Sequence, residues 1–358
     1  MKFIHCADLH LDSKIDGLPS DKSKIRRDEI LRTFERLCDY ASVNSVMAVI
    51  IAGDMFDTAR VTTKTRDRVF NAIKKNPNVD FLYLSGNHDD ENFISASETL
   101  PENLKVFGES WSNFRYGNVT ISGVILNALN SRTIYDTLKL SEQEINIVCM
   151  HGQVAGYKSD EAAEIISIPR LKDKFIDYLA LGHIHSYSKG DINHRGKYAY
   201  SGCLDGRGFD ELGDKGFVLI EVENEKLNTE FVNFSSRNLE VFEFNVEDFS
   251  EWYSASEQLF IEIKSAFKQT DLIKVVLKGS HKTDFYIDKD NLANRLNEYF
   301  FFAKVYDRTE LKVEPEDYLM DKSVRGEFVR TVWESDMSAE DKHKVILCGL
   351  NALKGEEI

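Results

Sequence analysis

Cysteine is scarce in this chain of 358 residues, and no two cysteines are close in the sequence. The five cysteines include no C-x-x-C pair and stand singly at Cys6, Cys38, Cys149, Cys203 and Cys348. An odd, dispersed set is typical of free thiols in a reducing compartment and argues against a disulfide framework. We therefore expect a cytoplasmic protein.

Long hydrophobic runs are also missing. A helix that crosses a bilayer needs about 20 apolar residues, and no run approaches that length. One of the longest, residues 46–53, has the size of a buried strand. At the N-terminus, residues 1–4 lead directly to His5 and Asp8, which leaves too short an apolar segment for a secretory signal. We expect no association with a membrane.

An excess of basic charge is the third absence. The formal net charge is −15 and the sequence pI is about 5.2. A protein that binds nucleic acid through its overall charge usually has a basic patch or a high pI. Any nucleic-acid substrate must therefore be held by a local feature, a metal centre or a partner. The length allows two domains, and the chain has no internal repeat and no low-complexity segment.

Short apolar runs alternate with helical patterns over the first two-thirds of the chain, which predicts an α/β domain. Helical spacing indicates helices over 22–41 and 62–75. The composition changes near Ser235, so we predict a first domain over 1–235. Five short apolar runs predict buried strands at 2–7, 46–52, 79–84, 145–150 and 178–181.

Beyond that boundary, a smaller α/β unit is predicted over 236–315 and a helical segment over 316–358. The smaller unit has strand patterns at 239–246, 272–277 and 303–307, with helical patterns at 251–268 and 291–301. The first closing helix has an apolar stripe of Val324, Phe328 and Val332. In the second, Ser338 is expected to cap the helix, and the stripe is Ile346, Leu350 and Leu353.

Each of the five strands in the first domain ends in polar residues of one chemical kind. Loops that leave strand ends are held in place by the sheet, and for this reason binding sites are built there. Glycines beside these residues let the backbone turn sharply. The five strand ends are Asp8-Leu9-His10, Gly53-Asp54, Gly86-Asn87-His88-Asp89, His151-Gly152 and Gly182-His183-Ile184-His185.

The ligand chemistry of these residues suits metals. In an extended chain side chains alternate, so we expect Asp8 and His10 to face one side and share a metal, and His183 and His185 to repeat that arrangement. Imidazole, carboxylate and amide ligands suit Mn²⁺, Fe²⁺ or Zn²⁺. Seven ligands are too many for one ordinary site and fit two metals. The seven are Asp8, His10, Asp54, Asn87, His151, His183 and His185.

Each fragment alone has a simpler explanation. A D-x-H tripeptide is common by chance, a single histidine at a strand end is usually structural, and GNHD can be a turn. His5 lies inside a predicted strand and is expected to be a core residue. The specificity comes from five motifs of one chemistry, each at a strand end.

The ordered set DLH, GDMFD, GNHD, a single H and GHIH resembles the calcineurin-like metallophosphoesterases. Within that superfamily, FIHCADLHLDS, IIAGDMFDT and LYLSGNHD are similar to the SbcD-type DNA repair exonucleases. The resemblance covers residues 1–235 well and extends more loosely into the C-terminal unit. It implies a four-layer α/β-β/α sandwich with a smaller α+β capping domain and terminal helices.

The resemblance also implies roles for individual residues. One metal would bind Asp8, His10, His185 and a bridging Asp54. The other would bind Asp54, Asn87, His151 and His183, and the family prefers Mn²⁺. His88 is similar to the family's catalytic histidine and is not a ligand in this assignment.

The partners that the resemblance implies are DNA, an SbcC-type coiled-coil ATPase and a second copy of the chain. The closing helices would dock on the ATPase, although simple packing on the capping domain is an equal alternative. Dimerisation would use helices near 62–75 and 92–100. Two other functions stay open: a phosphodiesterase or phosphatase acting on small molecules or phosphoproteins, and a non-catalytic scaffold.

Several polar side chains near the motifs have two interpretations. Asp12, Asp57, Asp89 and Asp90 would either orient histidines or serve only as loop and cap residues. The loop 202–216, with Arg207 and Asp210, would line the substrate cleft or simply connect two strands. The basic run Arg60, Lys64, Arg66 and Arg68 would contact DNA phosphates or form a solvated helix face, which we favour.

Overall fold

A computed structural model describes residues 1–57, 61–89, 100–155, 164–282, 285–312, 318 and 320–354. The chain divides into two compact units, Met1–Leu239 and Glu240–Ile358. The N-terminal unit contains the helices α1 (Ser20–Val43), α2 (Thr63–Lys74), α3 (Ile134–Thr137) and α4 (Ile168–Leu171). Its strands are β1 (Lys2–Cys6), β2 (Val46–Ala52), β3 (Asp80–Leu84), β4 (Leu104–Val106), β5 (Ser112–Tyr116), β6 (Val119–Gly123), β7 (Ile145–His151), β8 (Gln153–Val154), β9 (Ile165–Ile166), β10 (Tyr178–Gly182), β11 (Ser188–Asp191), β12 (Lys197–Tyr200), β13 (Gly216–Glu223) and β14 (Lys226–Asn233).

Two six-stranded sheets form the centre of this unit. The first has the order β14-β13-β1-β2-β3-β4, and the second has the order β11-β12-β10-β7-β6-β5. Strands β1 to β4 are parallel to one another, as are β6, β7, β10 and β12. The carboxyl ends of the parallel strands therefore lie at one edge in each sheet.

Alternate side chains of the central strands separate the layers. Val49 of β2 packs in one cluster with Phe34 of α1, whereas Ile50 packs in another with Ile147 of β7. The opposite face of β7, represented by Val148, packs with residues around α3 and α4. Helices, sheet, sheet and helices thus form four layers, because a period of two sends neighbouring residues to opposite faces. The predicted α/β sandwich is confirmed.

His5 is a core residue, as predicted, and it joins the two sheets. Its side chain is buried, with Nδ1 2.8 Å from the Tyr178 hydroxyl and Nε2 3.1 Å from the Leu181 carbonyl oxygen. A carbonyl only accepts, so Nε2 donates and Nδ1 accepts from the tyrosine. Burial lowers the pKa of His5 to about 3, and the ring is neutral at ordinary pH.

The C-terminal unit contains α5 (Trp252–Ala266), α6 (Lys289–Tyr299), α7 (Val324–Trp333) and α8 (Ala339–Lys354). Strand β15 (Leu239–Asn245), β16 (Leu272–Lys278) and β18 (Phe302–Asp307) form a sheet in the order β15-β16-β18. Strand β17 (Ser280–His281) pairs with β19 (Glu310–Leu311). One core cluster includes Leu259, Val275 and Leu296. Among the helices described, none is both long and apolar enough to cross a membrane.

The closing helices differ in part from the predicted stripes. Val332, Ile346 and Leu350 are buried together, and Phe328 packs against them. Val324 and Leu353 were expected in the stripes, but their side chains are 73% and 48% exposed. The prediction was wrong at these two positions because the helices bury a cluster near their middles and leave the first and last turns uncovered.

Candidate metal centre

The seven predicted ligands lie at or after the ends of β1, β2, β3, β7 and β10. The structure brings ligand atoms of three predicted ligands within 4.8 Å of one another in each of two groups, and a third group joins His185 to Cys203 and Glu211. Asp8, His10 and His185 form the first group, and Asp54, His151 and His183 form the second. His183 and His185 therefore do not share a group, in contrast to the expectation from strand alternation.

The backbone at the ligands explains that difference. Asp8, His10, Asp54 and His183 have φ angles of 51°, 44°, 52° and 105°, so these residues are not extended. A positive φ is costly for a residue with a side chain. Two hydrogen bonds hold the turns: the Asp8 amide donates to the Gly53 carbonyl at 3.1 Å, and the His10 amide donates to the Asp54 carbonyl at 3.0 Å. The assumption that Asp8 and His10 lie in extended chain was wrong.

Glycine is required where the motifs touch. Gly53 has a φ of +95°, and a Cβ atom there would lie 2.1 Å from His151 Nδ1. At Gly86 a Cβ atom would lie 2.1 Å from Asp54 Oδ1. A side chain at either position would take the space of a predicted ligand.

Three histidines are oriented in the same way. Nδ1 of His151 lies 2.9 Å from the Ala52 carbonyl, Nδ1 of His185 lies 2.9 Å from Glu211 Oε1, and Nδ1 of His10 lies 3.5 Å from Asp57 Oδ1. An acceptor at Nδ1 favours the tautomer with its lone pair on Nε2. In all three rings, Nε2 is left to face the other predicted ligands.

The Nε2 atoms and the carboxylates leave electron pairs facing one another. Nε2 of His10 lies 3.0 Å from Nε2 of His185. Nε2 of His151 lies 2.8 Å from Asn87 Oδ1 and 3.3 Å from Asp54 Oδ2. Acceptors placed this close require a positive charge between them, either a proton or a metal cation.

The two aspartates are arranged alike. Asp8 Oδ1 accepts from the His183 amide at 2.9 Å, and Asp54 Oδ1 accepts from the His88 amide at 3.0 Å. The buried Oδ2 of Asp8 has no hydrogen-bond partner among the residues described. An orphaned buried carboxylate oxygen among imidazole nitrogens fits a divalent cation. The residues present therefore fit the metals that the sequence predicts.

The side chains alone form an unusual electrostatic environment. Burial raises the pKa of Asp8. Burial also acts to raise that of Asp54, but His151 and the backbone amide of His88 outweigh it, and its pKa lies below the usual range. Burial acts to lower the pKa of His151, but the Asp54 carboxylate beside it raises that pKa to about 9. Without a metal, a protonated His151 would therefore balance the charge of the Asp54 carboxylate.

His88 lies beside both groups and belongs to neither. Its side chain is 30% exposed, and Nδ1 is 3.3 Å from Asp57 Oδ1. The His88 ring approaches the His10 ring with a centroid distance of 5.5 Å. His88 thus borders the predicted ligands at the more open side of the centre.

Sequence reasoning missed Glu211, which lies in the loop 202–216. Its buried carboxylate contacts His185 Nδ1 and accepts from Arg207 Nη2 at 2.7 Å. Burial acts to raise its pKa, but the histidine and the arginine lower it well below the usual range. Arg207 also reaches Asp57 at 3.1 Å. Only the folded chain shows that Glu211, 26 positions after His185, is its partner.

The flanking carboxylates have different roles. Asp57 borders His10 and His88, as a residue that orients histidines would. Asp12 Oδ2 accepts from the Thr62 amide at 2.9 Å, just before α2. Asp89 accepts from the amides of Phe56 and Gly86, both at 2.8 Å, and burial raises its pKa to about 6. Asp90 lies outside the described residues.

Comparison with known proteins agrees with this geometry. The chain is 26% identical over 246 residues to an uncharacterized metallophosphoesterase, YhaO, of Bacillus subtilis, which covers 64% of this chain and 60% of that protein. It is 26% identical over 326 residues to the DNA double-strand break repair protein Mre11 of Methanopyrus kandleri, covering 81% and 67%. With the Mre11 protein of Sulfolobus acidocaldarius the identity is 22% over 339 residues, covering 88% and 85%.

The family model for calcineurin-like phosphoesterases matches residues 1–187, which is more than half of the chain. This range contains β1 to β7, β10 and all seven predicted ligands. The chain is therefore a member of the calcineurin-like phosphoesterase family.

Proposed function

We propose that this protein is a DNA nuclease that hydrolyses phosphodiester bonds at a centre of two divalent cations. The observation that carries the proposal is the convergence of unshared electron pairs from both sheets in two adjacent groups. Similarity to Mre11 proteins, named for DNA double-strand break repair, supports DNA as the substrate.

We assign Asp8, His10 and His185 to one cation and Asn87, His151 and His183 to the other. Asp54 bridges the two in this assignment. Its Oδ2 belongs to the second group, and the Asp54 carbonyl anchors the His10 amide of the first. The donor set suits Mn²⁺, Fe²⁺ or Zn²⁺, and the resemblance favours Mn²⁺.

The protein's own residues position the substrate and move a proton. Bound cations supply positive charge to the phosphate oxygens and lower the pKa of water. We assign His88 to the leaving oxygen: Asp57 faces Nδ1, so Nε2 is the atom that donates the proton. General-acid catalysis of this kind contributes about 10²–10⁴-fold.

We further propose that the closing helices dock on a coiled-coil ATPase of the SbcC type. Val324, Leu353 and the 45%-exposed Trp333 leave apolar surface on α7 and α8 that the described residues do not cover. The expected homodimer would use α2. The second predicted dimer segment, 92–100, lies outside the described residues except for Leu100. A cytoplasmic location, where DNA is accessible in bacteria and archaea, completes this proposal.

The decisive experiment measures hydrolysis of labelled single- and double-stranded DNA with Mn²⁺, beside bis-p-nitrophenyl phosphate and a mononucleotide. We expect DNA cleavage by the wild type and background activity in His151→Ala. His343→Ala, which removes an exposed histidine from α8, is the matched control and should keep full activity.

Hydrolysis of the small diester with DNA left intact at low salt would contradict the nuclease assignment and favour a small-molecule phosphodiesterase. The docking proposal has a separate test. A chain ending at Asp317 should lose binding to the ATPase and keep hydrolysis of short single-stranded DNA. Full binding by the shortened chain would disprove docking through α7 and α8.

A further inference from the structure

A cavity of about 180 Å³ lies between α1 and α2. It can hold a phosphate group, since one water takes about 30 Å³ in the liquid. The charged side chains that line it are four cationic and two acidic, in a chain whose net charge is −15. They are Lys24, Arg27, Lys64, Arg68, Asp12 and Asp28.

Both carboxylates of the cavity are already engaged. Asp12 accepts from the Thr62 amide, and Asp28 pairs with Arg32 at 2.8 Å and Arg68 at 2.5 Å. Arg68 is also held by Glu35 at 2.8 Å. The basic residues of α2 therefore do not all have the same role. Arg68 serves to join α2 to α1, whereas its neighbours in the cavity have other roles.

The remaining cations are available to a ligand. Lys24 and Lys64 are exposed, and neither makes a hydrogen bond or ion pair with the part of the chain that the structure describes. Arg27 donates through Nε to the Ser13 carbonyl at 3.0 Å, which fixes its guanidinium at the cavity. Three cationic side chains thus converge on one small space without a carboxylate partner of their own.

The cavity adjoins the metal centre. Asp12 lines it and follows the predicted ligand His10 by two residues. Two residues of extended chain span at most about 7 Å. The Cα atoms of His10 and Asp12 are therefore no further apart than this, so the Asp12 wall of the cavity lies next to the segment that carries a predicted ligand.

We propose that this cavity binds a backbone phosphodiester of the DNA strand beside the bond that is cut, an inference that rests on the proposed nuclease function. Lysine and arginine are the side chains that hold phosphate oxygens, and such contacts position a strand without reading its sequence. The cavity is then the local feature that lets an acidic protein hold a polyanion.

The test compares the double variant Lys24→Ala, Lys64→Ala with the control Lys74→Ala, Lys75→Ala. The control also removes two positive charges, but from the far end of α2, about 15 Å along the helix. Binding of a fluorescent single-stranded oligonucleotide is measured without divalent metal over a series of salt concentrations. Hydrolysis of bis-p-nitrophenyl phosphate with Mn²⁺ reports on the centre itself.

We expect the cavity variant to bind DNA about tenfold more weakly at low salt, since two phosphate contacts are lost. The slope of log affinity against log salt should fall by about 0.7, the value for one phosphate of a single strand. Turnover of the small diester should be unchanged in both variants, and the control should bind DNA like the wild type.

Equal affinity and equal slope in the cavity and control variants would overturn the proposal. Binding of inorganic phosphate that is lost in the cavity variant, while DNA binding is the same in that variant and the wild type, would also overturn it and assign the cavity to a free phosphate. A wild type that hydrolyses the small diester but neither binds nor cleaves DNA contradicts the nuclease function itself, a result distinct from failure of the cavity variant alone.

Discussion

The two units of the chain differ in how many non-glycine residues have an unfavourable, positive φ angle. Non-glycine residues with positive φ number nine in the described chain, and all nine lie in the N-terminal unit. Four of them are predicted ligands: Asp8, His10, Asp54 and His183. In the described part of the C-terminal unit, the only positive φ belongs to Gly279.

Buried charge follows the same division. The N-terminal unit buries Asp8, Asp54 and Glu211 at the centre, and it buries an ion pair between Arg26 and Asp205 elsewhere. In the C-terminal unit, Asp271 is the one charged side chain buried among the residues described. Strain and buried charge cost stability and persist where function needs them. The strained ligands and the buried carboxylates of the proposed metal centre therefore all belong to the N-terminal unit.

Among variants that leave the predicted metal ligands in place, the largest effect on catalysis is expected from His88→Gln. This variant should lower the turnover of DNA by about 10²–10⁴-fold, because it removes the proposed proton donor to the leaving alkoxide. Metal content, measured by atomic emission, should stay at the wild-type value. His194→Gln is the control at an exposed histidine. Loss of metal in His88→Gln would identify His88 as a ligand instead.

Gly53→Ala should cost about 10²-fold in activity, since displacement of a reacting group by 1 Å has that effect. The new Cβ atom would meet His151 Nδ1, and φ at position 53 is +95°. Gly213→Ala separates the two causes: its φ is +83°, but no atom lies within 4 Å of the new Cβ. Equal losses of activity in both variants would mean that backbone strain, and not the contact with His151, is responsible.

Glu211→Gln should weaken metal binding about 10–100-fold, as the loss of a carboxylate that orients a ligand histidine does. Calorimetric titration with Mn²⁺ measures the affinity. The neighbouring Asp210→Asn, at an exposed position, should bind metal like the wild type. Unchanged affinity in Glu211→Gln would show that His185 needs no partner at Nδ1.

The smallest effect on catalysis is expected in the C-terminal unit. Leu350→Ala removes a buried side chain from the cluster of α7 and α8 and should destabilise these helices by about 2–3 kcal/mol. Hydrogen exchange measures that loss. Hydrolysis of the small diester should not change, and the exposed control Leu353→Ala should alter stability by less than about 0.5 kcal/mol. A loss of diester hydrolysis would contradict the division of roles between the units.

The sequence predicted the five ligand-bearing strands closely, because each is a short apolar run that ends in polar residues, with a glycine beside them in all but β1. β7, predicted over 145–150, is Ile145–His151, and β2 has the predicted bounds. The edge strands β5, β11 and β14 were missed. Their exposed alternate residues leave no continuous apolar run.

Contacts between residues that are far apart in the sequence could not be predicted from the sequence pattern. The partner of His185 lies in a loop whose sequence fits a plain connection equally well. His183 and His185 fall in different ligand groups because His183 has a φ of 105°. Nothing in the tripeptide His183-Ile184-His185 predicts that angle. Val324 matches its stripe in spacing but occupies the first turn of α7, where it is 73% exposed in the part of the chain that the structure describes.

The hydrogen bond from the His183 amide to Asp8 Oδ1 crosses from the segment after β10 to the segment after β1, and thus from one sheet to the other. The contact of His151 with the Ala52 carbonyl crosses between the sheets in the same way. Any cation held by these side chains binds the folded arrangement and has little affinity for the unfolded chain. By mass action, free metal would then add to the stability of the folded protein, as well as support the reaction.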